Sequence, residues 1–186
     1  MGNIFDILGP VMVGPSSSHT AGAVRIGMVA RQLFGRQPEK AEVILAVTGK
    51  GHGTDRALIA GLLGMMPDDM RIPDSYEVAK DMGMDFVMKN KNIKGAHPNT
   101  AQIIMEAEGV PQMKIQAHSI GGGRICVCKL DGIDVNFSGE SCTLIIRNGM
   151  SRDGSWRWPL HSVKLRSMWQ PCRYSVTSVA GQLLWL

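Results

Sequence analysis

The chain has 186 residues, enough for one domain with a hydrophobic core and a small appendage. Its apolar share of 44% excludes neither a core nor a normal surface, and it argues against disorder. The net charge of +4 invites a nucleic-acid reading, but its distribution opposes one: residues 1–148 hold 15 basic and 15 acidic side chains. The excess comes from Arg152, Arg157, Lys164, Arg166 and Arg173 against Asp153 alone, in the segment that also carries Trp156, Trp158, Trp169 and Trp185. No nucleic-acid partner is expected. No apolar run approaches the ~20 residues a membrane helix needs, and Met1 to Pro10 lacks the basic start of a signal peptide. No membrane partner and a cytoplasmic location are therefore expected. Cys126, Cys128, Cys142 and Cys172 have no zinc spacing and form no disulfide framework.

In chain order, Ser16-Ser17-Ser18 leads into a helix, with Ser18 or Thr20 as its N-cap. Val24, Met28, Leu33 and Phe34 carry its apolar spacing as far as Gly35, a C-terminal stop. Val43 to Val47 reads as a short buried strand. Gly49 to Gly53 is a loop, and Thr54 is placed to cap a second helix through Leu63. Ser75 to Met82 gives a third. The second half then changes to short strand-like runs: Phe86–Met88, Ile103–Met105, Ile115–His118, Ile125–Leu130, Val135–Phe137 and Thr143–Ile146. Asp131-Gly132 is a strong two-residue hairpin signal. Helices first and paired strands later predict an α+β fold with a mixed or antiparallel sheet.

Four polar clusters stand out: Gly14-Pro15-Ser16-Ser17-Ser18-His19-Thr20, Gly51-His52-Gly53-Thr54-Asp55, His97-Pro98-Asn99-Thr100 and Ser119-Ile120-Gly121-Gly122-Gly123. Hydroxyls ahead of a helix suit a carboxylate, because free N–H groups and the helix dipole meet there. Glycines let backbone approach a ligand. His19, His52 and His97 have imidazoles suited to proton transfer near neutrality. Each cluster also has a plain structural reading. The serines make a cap and loop, Gly51-His52-Gly53 a tight turn, His97 a turn residue before proline, and Gly121–Gly123 a bulge or a close crossing. His118 and His161 fall outside all four clusters. Cys126 and Cys128 would share one strand face, as small core residues more readily than as metal ligands.

The order of these clusters is more specific than any one of them. Together with Arg56-Ala57 and Gly61-Leu62-Leu63-Gly64, they make residues 4–148 resemble the beta chain of the bacterial two-chain, iron–sulfur-dependent L-serine dehydratase. The resemblance implies a fold similar to the allosteric substrate-binding domain of some D-3-phosphoglycerate dehydrogenases. It implies conversion of L-serine to pyruvate and ammonia, in partnership with an alpha chain that holds a 4Fe-4S cluster. This chain lacks the three or four suitably placed cysteines such a cluster needs, so no metal is assigned to it. By the same resemblance His19, His52 and His97 are catalytic. Ser16, Ser17, Ser18, Thr20, Asn99, Gly121 and Gly122 bind substrate, with the serines at the carboxylate. A rival reading from a different class is a non-catalytic regulatory module that binds serine.

In that family a small ACT regulatory domain follows. Here the resemblance stops after Asn148, where charge and tryptophan usage also change. Back-translation suggests why. Met168-Trp169-Gln170, read from the third base of the methionine codon, forces Val-Ala, and synonymous choices through Tyr174 extend it to Val-Ala-Thr-Met-Gln-Val. The same frame permits Asn-Glu-Pro-Gly across Gly149 to Asp153. Both pieces resemble ACT sequence. Residues 149–186 are therefore expected to be an out-of-frame tail that packs poorly, leaving the Thr143–Ile146 strand with an exposed edge.

Overall fold

The computed structural model describes residues 17–46, 53–91, 93, 95–141 and 143–145, together with strand segments within 149–185. The chain divides into two compact units, Met1–Asn136 and Phe137–Leu186. The first opens with helix α1 (Ser17–Phe34), followed by strand β1 (Lys40–Leu45). Helix α2 (Thr54–Leu63), a 3-10 turn at Ile72–Asp74, helix α3 (Ser75–Asp81) and strand β2 (Asp85–Asn90) come next. Then follow β3 (Thr100–Ala107), β4 (Val110–Gly121), β5 (Arg124–Leu130) and β6 (Ile133–Phe137). The sheet order is β2-β1-β3-β4-β5-β6. β1 pairs parallel with β2 and antiparallel with β3, so the sheet is mixed and the α+β expectation holds.

Alternation along the strands sets the core. Val43, Ile103, Met105, Ile115, Ala117, Ile125 and Val127 are buried, while their neighbours in sequence are partly or fully exposed. Leu33, Leu58, Ile59 and Leu62 supply the helical side of the core. Each such side chain contributes roughly 1.5–3 kcal/mol by leaving water. The pairing of α1 with α2 depends on two glycines. A Cβ on Gly27 would lie 2.4 Å from the Leu58 carbonyl oxygen, and one on Gly61 would lie 2.1 Å from that of Val24. The helices thus touch backbone to backbone.

Several boundaries differ from the expected ones. Ser18 and Thr20 lie inside α1, and Thr20 is buried, so neither is the cap. Thr54 is the first residue of α2, and the cap position belongs to Gly53 in the left-handed conformation, φ 70°. Glycine reaches that geometry readily because it has no Cβ to clash. β1 starts at Lys40, earlier than Val43, because pairing with β2 and β3 extends it. Gly35 ends α1 as expected, at φ 84°, with its N–H on the Arg31 carbonyl at 3.0 Å. Asp131 and Gly132 both have positive φ and close the β5–β6 hairpin. Cys126 and Cys128 do share a face, but it is the half-exposed one and not the core.

In the second unit β7 (Thr143–Ile145) pairs antiparallel with β10 (Val163–Leu165). β8 (Gly149–Met150) pairs with β9 (Trp156–Arg157), and β11 (Val176–Val179) with β12 (Gln182–Trp185). The expected poor packing of residues 149–186 concerns side chains outside the described residues. No helix among the described residues is long and apolar enough to cross a membrane.

Candidate functional site

Segments far apart in sequence meet at one end of the six-stranded sheet. A cleft with about 380 Å³ of empty space is bounded by Ala23 and Ile26 of α1, Leu45 and Ala46 at the end of β1, and Thr54 and Leu58 of α2. Pro98, Asn99, Thr100 and Ala101 at the start of β3 and Ser119 near the end of β4 complete it. Mostly apolar walls with a few polar groups are the usual make-up of a small-molecule site.

The backbone holds these segments in register. The Asn99 carbonyl accepts the Ser119 N–H at 3.3 Å, and the Thr100 carbonyl accepts the Ala46 N–H at 3.0 Å. The Thr100 N–H closes the turn onto the His97 carbonyl at 3.0 Å. α1 is tied to the end of β4 by two features. A Cβ on Gly22 would fall 2.3 Å from Ser119 Oγ, so only glycine lets the helix sit this close. Arg25 Nη1 also donates to the Gly123 carbonyl at 3.0 Å. Gly121, Gly122 and Gly123 have φ of 93°, 60° and 73°. They are needed for the turn itself, since a Cβ on Gly121 or Gly122 would meet nothing within 4 Å.

Three hydroxyls are conspicuous. Thr20 (3% exposed), Thr100 (2%) and Ser119 (5%) each bury an oxygen that has no hydrogen-bond partner among the described residues. An unsatisfied buried hydroxyl costs ~1–3 kcal/mol, so each calls for a partner beyond the described residues; Thr100 and Ser119 are also cleft-lining.

The anticipated site residues divide in three ways. Asn99 lines the cleft, and Gly121 and Gly122 form the adjoining turn, close to where Ser119 meets α1. Ser17, Ser18 and His19 lie in the first turn of α1 as backbone, and Thr20 follows, buried. Ser16, His52 and the side chains of Ser17, Ser18 and His19 fall outside the described residues. His97 is exposed and is not among the cleft-lining residues; its ring stacks on that of His118, centroids 5.1 Å apart and planes at 26°. His118 faces Thr100 on β3 and Cys126 on β5. Burial, and then the neighbouring His97, hold the His118 imidazole below its ordinary pKa. Thr54, Thr100 and Ser119 were not singled out from sequence as ligands, although each lies inside a quoted cluster.

Of the described cysteines, Cys126 and Cys128 do not suit an iron–sulfur cluster. Cys126 Sγ donates to Asn136 Oδ1 and Cys128 Sγ to the Gln116 carbonyl, each at 3.2 Å. Burial pushes both thiols up from their ordinary pKa, away from the thiolate a metal needs. Among the described residues no three His, Cys, Asp or Glu side chains come together as a metal site.

A family description for the serine dehydratase beta chain matches residues 3–83. The "Probable L-serine dehydratase, beta chain" of Bacillus subtilis is 45% identical over 148 residues, covering 77% of this chain and 67% of the relative. This chain belongs to the serine dehydratase beta-chain family. The L-serine dehydratase beta chain of Peptoniphilus asaccharolyticus is 41% identical over 147 residues, covering 76% of this chain and 66% of its own. The L-serine dehydratase TdcG of Escherichia coli is 30% identical over 188 residues, which is 41% of that longer protein. The chain thus spans about two thirds of the beta-chain relatives' length. In this beta-chain domain three of the quoted clusters send residues to the cleft: Thr54, then Pro98, Asn99 and Thr100, and Ser119.

Proposed function

We propose that this chain is the beta subunit of an L-serine dehydratase, working with an alpha chain that carries a 4Fe-4S cluster. One observation carries most of the reading: Thr54, Asn99, Thr100 and Ser119, from three separate clusters, line one cleft against α1. The reaction removes the α-proton and the β-hydroxyl of L-serine, giving aminoacrylate and water. Aminoacrylate tautomerises to the imine, and water then releases ammonia and leaves pyruvate. A Lewis acid assists departure of hydroxide, which is the part the alpha chain's cluster would supply. No ligand set for it is found among this chain's described residues.

The beta chain's contribution is binding, orientation and proton handling. Ser16, Ser17 and Ser18, in the sequence that leads into α1, are suited to the substrate carboxylate, and Thr20 is a further substrate-binding residue. Asn99, Gly121 and Gly122 would orient the rest, beside the Thr100 and Ser119 hydroxyls, which have no partner among the described residues. His19, His52 and His97 are the proton-handling or positioning groups. The exposure of His97 fits a site closed by a second chain.

Anaerobic reconstitution tests the reading. The purified chain alone is expected to show no visible cluster absorption and no turnover, and addition of a matching alpha chain is expected to restore turnover. In that complex His52→Ala and His97→Ala are expected to lower turnover about 10²-fold or more, the scale of a lost proton-transfer group or hydrogen-bond donor. Cys126→Ala is expected to do far less. Cluster absorption in the beta chain alone would overturn the division of roles. Full activity of every histidine variant would favour the regulatory serine-binding module instead.

We also propose that residues 149–186 are read out of frame and stand where the family's ACT domain would be encoded. The alignments with the two beta-chain relatives cover 77% and 76% of the chain, leaving room for a foreign segment of this size.

A further inference from the structure

We infer that His97 acts through Nε2–H as a hydrogen-bond donor and not as the base that takes the α-proton, with His118 as the positioning residue that fixes its ring. The inference rests on the dehydratase reading and goes beyond it by dividing labour among the histidines. The backbone N–H of Asn99 points at His97 Nδ1 at 3.2 Å. An amide N–H can only donate, so Nδ1 must offer its lone pair. In neutral imidazole one nitrogen accepts and the other carries the proton, which places the proton of His97 on Nε2. Its only basic lone pair is then already occupied. To act as base the ring would have to break the Asn99 bond or turn over.

The ring's freedom to turn is limited by His118. The two imidazoles stack at 5.1 Å with planes 26° apart. On β4, His118 is flanked from both sides, by Thr100 of β3 and Cys126 of β5. The first of these contacts is on the strand that the His97 turn enters, so ring and platform move as one piece. Burial also disfavours charge on His118, which keeps it a neutral platform. What remains of His97 for chemistry is an exposed Nε2–H. A neutral imidazole in that state stabilises charge developing on a substrate oxygen by hydrogen bonding and transfers no proton. The oxygens of L-serine, carboxylate and β-hydroxyl, are the acceptors such a donor suits. Abstraction of the α-proton then falls to His19 or His52.

The test uses the full chain with ¹⁵N-labelled histidine, His97 being assigned by the signals lost in His97→Gln. A pyridine-type Nδ1 and a pyrrole-type Nε2 are expected for His97. His118→Ala is expected to give a mixture of tautomers, and His118→Phe, which keeps a stacking ring, to restore the single one. In the complex with the alpha chain, His97→Ala is expected to lose about 10²-fold in kcat, the scale of one lost donor. His97→Gln keeps an N–H and cannot act as base, so most of that loss is expected to be recovered. A protonated Nδ1, or equal losses in the Gln and Ala variants, would overturn the donor role. An unaltered tautomer in His118→Ala would overturn the positioning role. The expected tautomer together with unchanged turnover in both His97 variants would overturn the catalytic reading and leave the ring geometry standing.

Discussion

Tyr76 donates its hydroxyl to Asp55 Oδ2 at 2.8 Å, and its ring lies 5.5 Å from the Arg56 guanidinium. Ser75 Oγ reaches the Arg56 carbonyl at 2.8 Å. The start of α3 thereby grips the start of α2, directly after the stretch that contains His52. Burial, and then the Asp55 hydrogen bond, raise the Tyr76 pKa above its ordinary value of 10.0. The sign of the linkage follows. Above about pH 10 the unfolded chain gives up this proton while the folded chain still holds it, so stability falls as pH rises. The contribution is fully present below pH 10. Tyr76→Phe has no proton to lose, and its urea midpoint is expected to drop less between about pH 8 and pH 11 than that of the parent. Equal drops would show that the Asp55–Tyr76 contact is not formed. None of this was legible from sequence, because a tyrosine twenty-one positions from its carboxylate gives no local signal.

At the scale of elements, the close approach of α1 and α2 makes a different kind of prediction. In an isolated helix Gly→Ala is favourable by roughly 1 kcal/mol. At Gly61 the new Cβ would meet the Val24 carbonyl at 2.1 Å and the Gly27 Cα at 2.9 Å, both backbone of the facing helix. Backbone cannot rotate away, so the helices must separate and loosen the contacts around Leu58 and Leu62. Overpacking of this kind costs ~1–3 kcal/mol, which outweighs the propensity gain. Gly61→Ala is expected to lower the thermal midpoint, measured by circular dichroism; a rise would mean the helices are farther apart. Sequence showed that a glycine recurs here, within Gly61-Leu62-Leu63-Gly64, but not which glycine meets backbone and which ends the helix. Gly64 is the second kind, at φ 88°. The hairpins divide similarly. Asp131-Gly132 announces itself, whereas Glu108-Gly109 between β3 and β4 lacks the Asn-Gly or Asp-Gly signature and makes those strands read shorter than they are.

Across the whole molecule, three of the four clusters reach the cleft, because Thr54 begins α2, Asn99 and Thr100 begin β3, and Ser119 lies near the end of β4. Thr100 and Ser119 were hidden among residues of the same kind, since burial without a partner is a property of packing and not of sequence. The tail is the reverse case, where sequence speaks more clearly than fold. Residues 1–148 balance 15 basic against 15 acidic side chains, while residues 149–186 hold five against one and all four tryptophans. A functional basic, tryptophan-rich segment could arise by selection for phosphate and base contacts. Selection of that kind gives no reason for an unused reading frame to permit a second family-like segment. Met168-Trp169-Gln170 forces Val-Ala in that frame, with no codon choice available to improve the match. The gene sequence is therefore the deciding measurement. It is expected to encode Asn-Glu-Pro-Gly near codons 149–153 and Val-Ala-Thr-Met-Gln-Val from codon 168, in one shared alternative frame. Restoring that frame is expected to yield a beta chain whose similarity to the Bacillus subtilis relative continues beyond its present 148 aligned residues. An alternative frame interrupted by stop codons, or one without those two pieces, would sink the proposal and return the tail to the status of a segment with its own purpose.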